Sequence, residues 1–229
     1  QNCILCGEVP KETGCNLNGS LNEDFTGHAT EQMYERGQVI FKEQSASNSV
    51  YVIQKGRVKL YRTDNHGNRQ VISLLGAGDI FGMRSLLANE PHSVTAEAIE
   101  PTTVCVAPRQ KLLEMFNISG DIAQDLMNKL AAEMKVTEEM MVSLLHHSVK
   151  RRTARLLLAL VDQTDVQPDK PLKVVKLQRT EMAQLIGTTP ESLSRTLHLF
   201  GEMGLIESTR TKITLINRKA LEEVLNNKE

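Results

Sequence analysis

From Gln38 to Pro108 the chain alternates short runs of Val, Ile and Leu with turn residues. Val50–Ile53, Val58–Tyr61 and Gln70–Leu75 have the length and composition of strands. Gln54-Lys55-Gly56 and Asp64-Asn65-His66-Gly67-Asn68 between them carry turn chemistry. Short strands at this regular spacing predict an antiparallel roll or barrel. After Pro108 the period lengthens. Ile122, Leu126, Leu130, Met134, Thr137, Met141 and Leu144 recur at steps of three and four, which predicts one long helix. Its stripe is narrow and apolar except at Thr137, as in the seam between two paired helices. Part of the stripe is expected to pack on the roll itself, and the rest to pair two chains.

Beyond Lys150 the pattern changes again. Lys150–Leu160 reads as a helix, basic and then apolar; Gln163–Pro171 is a polar break, and Leu172–Leu177 a short strand. Two short helices follow, then a hairpin over Ile206–Ile216 with its turn at Ser208–Lys212. Within the helices, Met182, Leu185 and Ile186 make one apolar face, with small Ala183 where two helices approach closely. Gly187 ends the first helix, Thr189 caps the second, and Pro190 takes the first helical position, where an absent N–H costs nothing. Leu193, Leu197 and Phe200 point inward and leave Glu191, Ser194, Arg195 and His198 outward. This is the pattern of a winged helix-turn-helix, whose second helix enters a DNA major groove.

Charge sharpens that reading. Residues 1–147 hold 13 Lys and Arg against 18 Asp and Glu, whereas residues 148–219 hold 13 against 7. An acidic front and a basic back direct the back half toward a polyanion. Arg195 can donate twice to guanine O6 and N7, and Glu191 can accept from the cytosine amino group. Ser194 is short and adaptable, and the Pro190 ring can meet a thymine methyl. Phosphate contacts are expected from Arg179, Lys176, Thr180, Thr189, Arg210 and Lys212. No apolar run reaches membrane-spanning length, and no secretory signal is visible. With four cysteines, that predicts a reducing cytoplasm rather than a disulfide scaffold. No Cys–His pair, serine motif or nucleotide loop points to an enzyme.

Glu191-Ser192-Leu193-Ser194-Arg195 matches the E-x-x-S-R pattern of the fumarate–nitrate branch of the Crp/Fnr regulators, and the similarity extends from about Gln38 onward. The resemblance implies an α+β architecture: a cysteine-containing arm over 1–24, an antiparallel β-roll of cyclic-nucleotide-binding type over 25–116, a dimerisation helix over 117–147 and a winged helix-turn-helix over 148–229. It further implies TTGAT-like half-sites in an inverted repeat of double-stranded DNA, a homodimer to match that symmetry, and RNA polymerase as a partner.

Gly76-Ala77-Gly78-Asp79-Ile80-Phe81-Gly82-Met83-Arg84 resembles the family's cyclic-nucleotide phosphate turn. Gly82, Met83, Arg84, His92 and Ser93 mark the corresponding effector pocket. Met83 stands where a ribose-binding Glu belongs, and His92-Ser93 replaces the Arg–Ser pair, so cyclic AMP is not expected there. Cys3, Cys6, Cys15 and Cys105 resemble the branch's arrangement of three arm cysteines and one in the roll, which ligates an oxygen-labile [4Fe–4S] cluster. Eight residues separate Cys6 from Cys15 where the family pattern has five. Thiolate chemistry suits such a cluster. A buried core thiol at Cys105, a dithiol–disulfide switch, zinc, haem on His28, His66 or His92, and a small effector in the roll remain as alternatives.

Overall fold

The computed structural model describes residues 30–118, 120–161, 172–174, 177–209 and 212–226. The chain divides into two compact units, one reaching Lys135 and one beginning at Val136 for most of its length.

The first unit opens with β1 (Thr30–Tyr34), β2 (Val39–Phe41), β3 (Ser49–Lys55), β4 (Val58–Thr63), β5 (Arg69–Leu75), β6 (Ile80–Phe81), β7 (Thr95–Ala98) and β8 (Thr102–Pro108). They form two four-stranded antiparallel sheets, ordered β1-β8-β3-β6 and β2-β7-β4-β5. The three strands read from the sequence are present; β3 runs three residues longer, β4 two and β5 one. Successive side chains of a strand face opposite ways. Along β8, Val104 therefore enters the core between the sheets with Phe41, Ile53, Val58, Phe81 and Ala96. Cys105 and Ala107 turn to the other face, against Val50, Val52, Met83, Leu86, Leu112 and Leu126. Burial on both faces explains why β3 reads as an unbroken apolar run.

Three helices supply that second cover: α1 (Met83–Ala88), α2 (Arg109–Ile118) and α3 (Gly120–His146). The 27 residues of α3 span about 40 Å at 1.5 Å each. Its apolar stripe divides. Leu126 is buried against the roll and Leu130 is partly so. Met134 and Met141 are 66% and 59% exposed, and Met127, one heptad earlier, is 56% exposed. The sequence reading left out Met127, although seven-residue spacing links it to Met134 and Met141.

The second unit holds the end of α3, then α4 (Val149–Ala159), β9 (Leu172–Lys173), α5 (Arg179–Leu185), α6 (Pro190–Glu202), β10 (Ile206–Ser208), β11 (Ile213–Leu215) and α7 (Arg218–Asn226). The strands form one antiparallel sheet ordered β10-β11-β9. Of the strand read over Leu172–Leu177, Leu172–Lys173 is a strand and Val174 is bridged to Val161, while 175–176 lie outside the described residues. Ala154, Leu157, Leu160, Met182, Ala183, Leu193, Phe200 and Leu221 are almost fully buried. Helix α7 was not read from the sequence, although Asn217 caps it by accepting from the Ala220 amide. Leu221 lies at its start with no exposure.

Candidate nucleic-acid interface

Helix α5 begins at a Gln178–Glu181 capping pair, in which the Gln178 amide donates to the Glu181 carboxylate at 3.0 Å. It ends at Gly187, whose φ of +61° is left-handed and suits a residue without Cβ. A Cβ there would stand 2.5 Å from Leu144 Cδ2 and 3.3 Å from Arg152 Nη1. Arg152 reaches across from α4 and donates through Nη1 to the Ile186 and Gly187 carbonyls, the latter at 3.1 Å. The turn between the two helices is thus clasped by the end of α3 on one side and by a guanidinium on the other.

Helix α6 then starts as its sequence dictates. Thr189 Oγ1 accepts from the Ser192 amide at 3.2 Å, and Pro190 occupies the first position. Leu193, Leu197 and Phe200 are buried, while Glu191, Ser194, Arg195 and His198 are exposed on the opposite side. Positions 191, 194, 195 and 198 share one helical face. Among the described residues Arg195, Glu191 and Ser194 make no side-chain hydrogen bond or ion pair. His198 Nε2 lies 3.4 Å from the Glu202 carboxylate. A face of unengaged donors and acceptors on a helix fixed at its start and along its buried side can read base edges without first breaking internal bonds.

The surrounding residues divide into three groups. Thr180, Thr189 and Lys212 are exposed, and the capping bond of Thr189 leaves its hydroxyl proton available to a phosphate oxygen. Arg179 is half-buried instead. Its Nη2 donates to Ser208 Oγ at 2.7 Å and to the Thr209 carbonyl at 2.9 Å, joining the start of α5 to the wing. Its Nη1 is buried with no hydrogen-bond partner among the described residues. Lys176 and Arg210 lie outside the described residues. The hairpin turn itself is closed by the Thr209 amide donating to the Lys212 carbonyl at 2.8 Å.

The residues read as an effector pocket have different surroundings: a Cβ at Gly82 would stand 2.9 Å from Tyr51 Cδ2, and the Tyr51 and His92 rings lie 6.4 Å apart. Gly82, at φ +81°, precedes α1. Met83 is buried in the cluster that faces α3. Arg84 reaches outward, with Nη1 3.5 Å from the Glu90 carboxylate. His92 is buried and stacked on Phe41, with centroids 3.7 Å apart. Burial holds its imidazole below the ordinary pKa, favouring the neutral form. Ser93 is half-buried. An apolar Met in place of a carboxylate packs inward, and a neutral ring in place of a guanidinium stacks. The phosphate clamp therefore has no cation in this position.

Cys105 is a buried member of its apolar cluster, 6% exposed. Burial pushes its thiol up, the Gln54 side chain hydrogen-bonded to the sulfur works against that, and the nearby Glu31 carboxylate adds to it. Strand β1 pairs beside it, with Glu31 opposite Cys105. Cys3, Cys6, Cys15 and His28 lie outside the described residues. Among the described residues no group of three or more His, Cys, Asp or Glu side chains could hold a metal ion. None of the described helices is long and apolar enough to cross a membrane.

Two family models match the chain, a cyclic nucleotide-binding domain over residues 31–119 and a Crp-like helix-turn-helix domain over 151–224. The chain is 28% identical to the Cyclic AMP receptor protein of Thermus thermophilus, over 84% of its own length and 87% of that protein's. It is 25% identical to the Fumarate and nitrate reduction regulatory protein of Yersinia pestis, over 84% of its length and 77% of that protein's. Among solved structures it is similar to FixK2 from Bradyrhizobium japonicum, with a TM-score of 0.74 and 28% identity, covering 86% of this chain and 96% of that one. A roll of cyclic-nucleotide-binding type, a long helix and a winged helix-turn-helix with an outward polar face thus occur in one chain. This chain belongs to the Crp/Fnr family of DNA-binding transcription regulators.

Proposed function

We propose that the chain acts in the cytoplasm as a homodimeric regulator of the fumarate–nitrate type, reading TTGAT-like inverted repeats and working with RNA polymerase. The observation that carries the DNA reading is the outward face of α6, where Glu191, Ser194 and Arg195 are exposed and unengaged. Exposed Met127, Met134 and Met141 at heptad spacing support pairing of two α3 helices, which would match the two-fold symmetry of the operator. Arg195 would take guanine, Glu191 cytosine, and Thr180, Thr189 and Lys212 the backbone. Operator binding by full-length protein tests this assignment. Arg195→Ala should weaken specific binding by about 1–3 kcal/mol and relax guanine preference at one position. Unchanged affinity and preference would refute the role of Arg195.

The signal in this reading is oxygen or nitric oxide, sensed through a [4Fe–4S] cluster on Cys3, Cys6, Cys15 and Cys105. Support comes from the all-thiolate donor set, from the place of Cys105 on the sheet face toward α3, and from its pairing with β1, the first described strand after the arm. Such a cluster supplies an oxygen-labile link between the arm and the roll. Because burial keeps the bare Cys105 thiol protonated, ligation must release its proton, and loading should weaken as pH falls. Iron and sulfide content of anaerobically purified protein, with its visible spectrum, tests this. About four of each per chain, lost in Cys105→Ser, is expected. A metal-free regulator using a small effector or a thiol switch is the second reading, favoured by the packing of Cys105 among apolar side chains. Absence of iron after reconstitution would select it.

A further inference from the structure

We infer that Asp79, Lys129 and Glu133 form a proton-sensitive latch between the β-roll and α3: Lys129 is drawn to Asp79 of the roll while Glu133 is protonated, and is divided between the two carboxylates once Glu133 ionises. Asp79 closes the turn that leads into β6. Its Oδ2 accepts from the Gly76 amide at 2.8 Å, its amide donates to the Gly76 carbonyl at 3.1 Å, and its carbonyl accepts from the Ile53 amide at 3.0 Å. These bonds fix Asp79 to the turn and to β3. Lys129 and Glu133 stand one turn apart on α3 and share a face. Leu126 is buried in one cluster with Val50 and Val52 of β3, and Leu130 packs against it, so this stretch of α3 is held by the roll. Met134, the residue after Glu133, is exposed.

Lys129 Nζ is shut away from water and has no hydrogen-bond partner among the described residues. An ammonium in that state is costly, which gives it a strong pull toward a neighbouring anion. Its charge acts on both carboxyls. Among the described residues, no charged side chain besides these three acts on either carboxyl. One cation can match one carboxylate, so the second negative charge is in excess.

The proton belongs to Glu133 for a physical reason. Burial pushes the Asp79 carboxyl up, while the Gly76 amide and Lys129 pull it down. Burial is also the largest influence on Glu133 and pushes it up, although part of the side chain is open to water; Lys129 pulls it down, and Asp79 pushes it up again. Asp79 has an amide that favours its charged form, and Glu133 has a like charge beside it. A carboxyl raised above its unfolded value adds stability in acid that is lost as pH rises through the folded value. Ionised Glu133 then competes with Asp79 for Lys129 from the next turn of the same helix. Lys before Glu at that spacing is the weaker order of a helical pair, so the competition loosens the latch without breaking it.

Amide hydrogen exchange of the full-length protein tests the inference, read by mass spectrometry over residues 126–134 and corrected for the intrinsic pH dependence of exchange. Glu133→Gln copies the protonated state. At about pH 8 it should slow exchange of this stretch by about twofold or more relative to the parent, and the difference should close toward about pH 5. Both chains carry His92, so its titration cancels in the difference. Asp79→Asn keeps an acceptor for the Gly76 amide and removes the roll's charge, and in that background Glu133→Gln should slow nothing. Lys129→Gln leaves the turn intact and should speed exchange at about pH 8. Circular dichroism checks the fold of each variant. A Glu133→Gln chain that exchanges like the parent at every pH, or is slowed equally at every pH, would overturn the latch. Slowing that survives in Asp79→Asn would confine the effect of Glu133 to its own helix, and would overturn it as well. Parent-like exchange in Lys129→Gln would equally refute it.

Discussion

Gly187→Ala probes the joint that aims the recognition helix. Its cost can be built from three parts. An L side chain at φ +61° carries roughly 1–2 kcal/mol of backbone strain. Alanine restricts the unfolded chain, which returns about 0.4–1 kcal/mol. The new Cβ would lie 2.5 Å from Leu144 Cδ2, well inside van der Waals contact. Leu144 is the end of a flexible, 41%-exposed side chain, so it can swing aside for about 0.5–1.5 kcal/mol of rotamer strain. The 3.3 Å approach to Arg152 Nη1 asks for a few tenths of an ångström more, at the guanidinium that holds the Ile186 and Gly187 carbonyls. The net loss should be about 1–3 kcal/mol in the unfolding of the DNA-binding unit. Urea titration followed by far-UV circular dichroism measures it as a lower midpoint at unchanged slope. Leu144→Ala in the same chain should recover the steric part but not the backbone part, and Gly187→Asn should cost less than Gly187→Ala because Asn tolerates left-handed φ. Operator affinity should fall with Gly187→Ala, since α6 hangs from this turn. A variant as stable as the parent, with full operator binding, would refute both the left-handed turn and the clasp.

Other perturbations address other parts of the molecule. His92, neutral and stacked on Phe41, has its pKa lowered by burial from 6.5, so its contribution to stability is complete above about pH 6.5. That contribution should be lost as pH falls from there toward the lower folded value; thermal unfolding of His92→Phe against wild type isolates it, and identical pH profiles would refute it. Arg179→Gln removes the bonds to Ser208 and Thr209 and should cost about 1–2 kcal/mol while weakening operator binding. Unchanged salt dependence of that binding would make Arg179 a positioning residue of the wing, whereas a slope lower by about 0.9 would make it a phosphate contact. Met141→Glu places charge in the exposed heptad stripe and should leave only monomer in analytical ultracentrifugation, where the proposed homodimer is expected of the parent. A variant that sediments as a dimer would move the interface away from α3.

Much was legible in the sequence because it is written in short-range patterns. The strands of the roll, the capped turn Gly187–Thr189–Pro190 and the inward face of Leu193, Leu197 and Phe200 follow from period, φ tolerance and capping, each decided within a few residues. Charge division between the halves and the outward set Glu191, Ser194 and Arg195 are equally local. What tertiary structure decided is how a residue is used once distant segments meet it. Arg179 reads from the sequence only as a phosphate ligand, and its bonds to Ser208 and Thr209 exist only because the wing, 29 residues later, folds back on the start of α5. The apolar stripe of α3 had one period throughout, yet Leu126 covers the roll while Met134 is left exposed, because the sheet that buries the first is supplied by β3 and β8. Met83 and His92 belong to one family pattern, yet Met83 packs with Val50, Val52 and Leu86 while His92 stacks on Phe41, and only the fold decides which neighbours each meets.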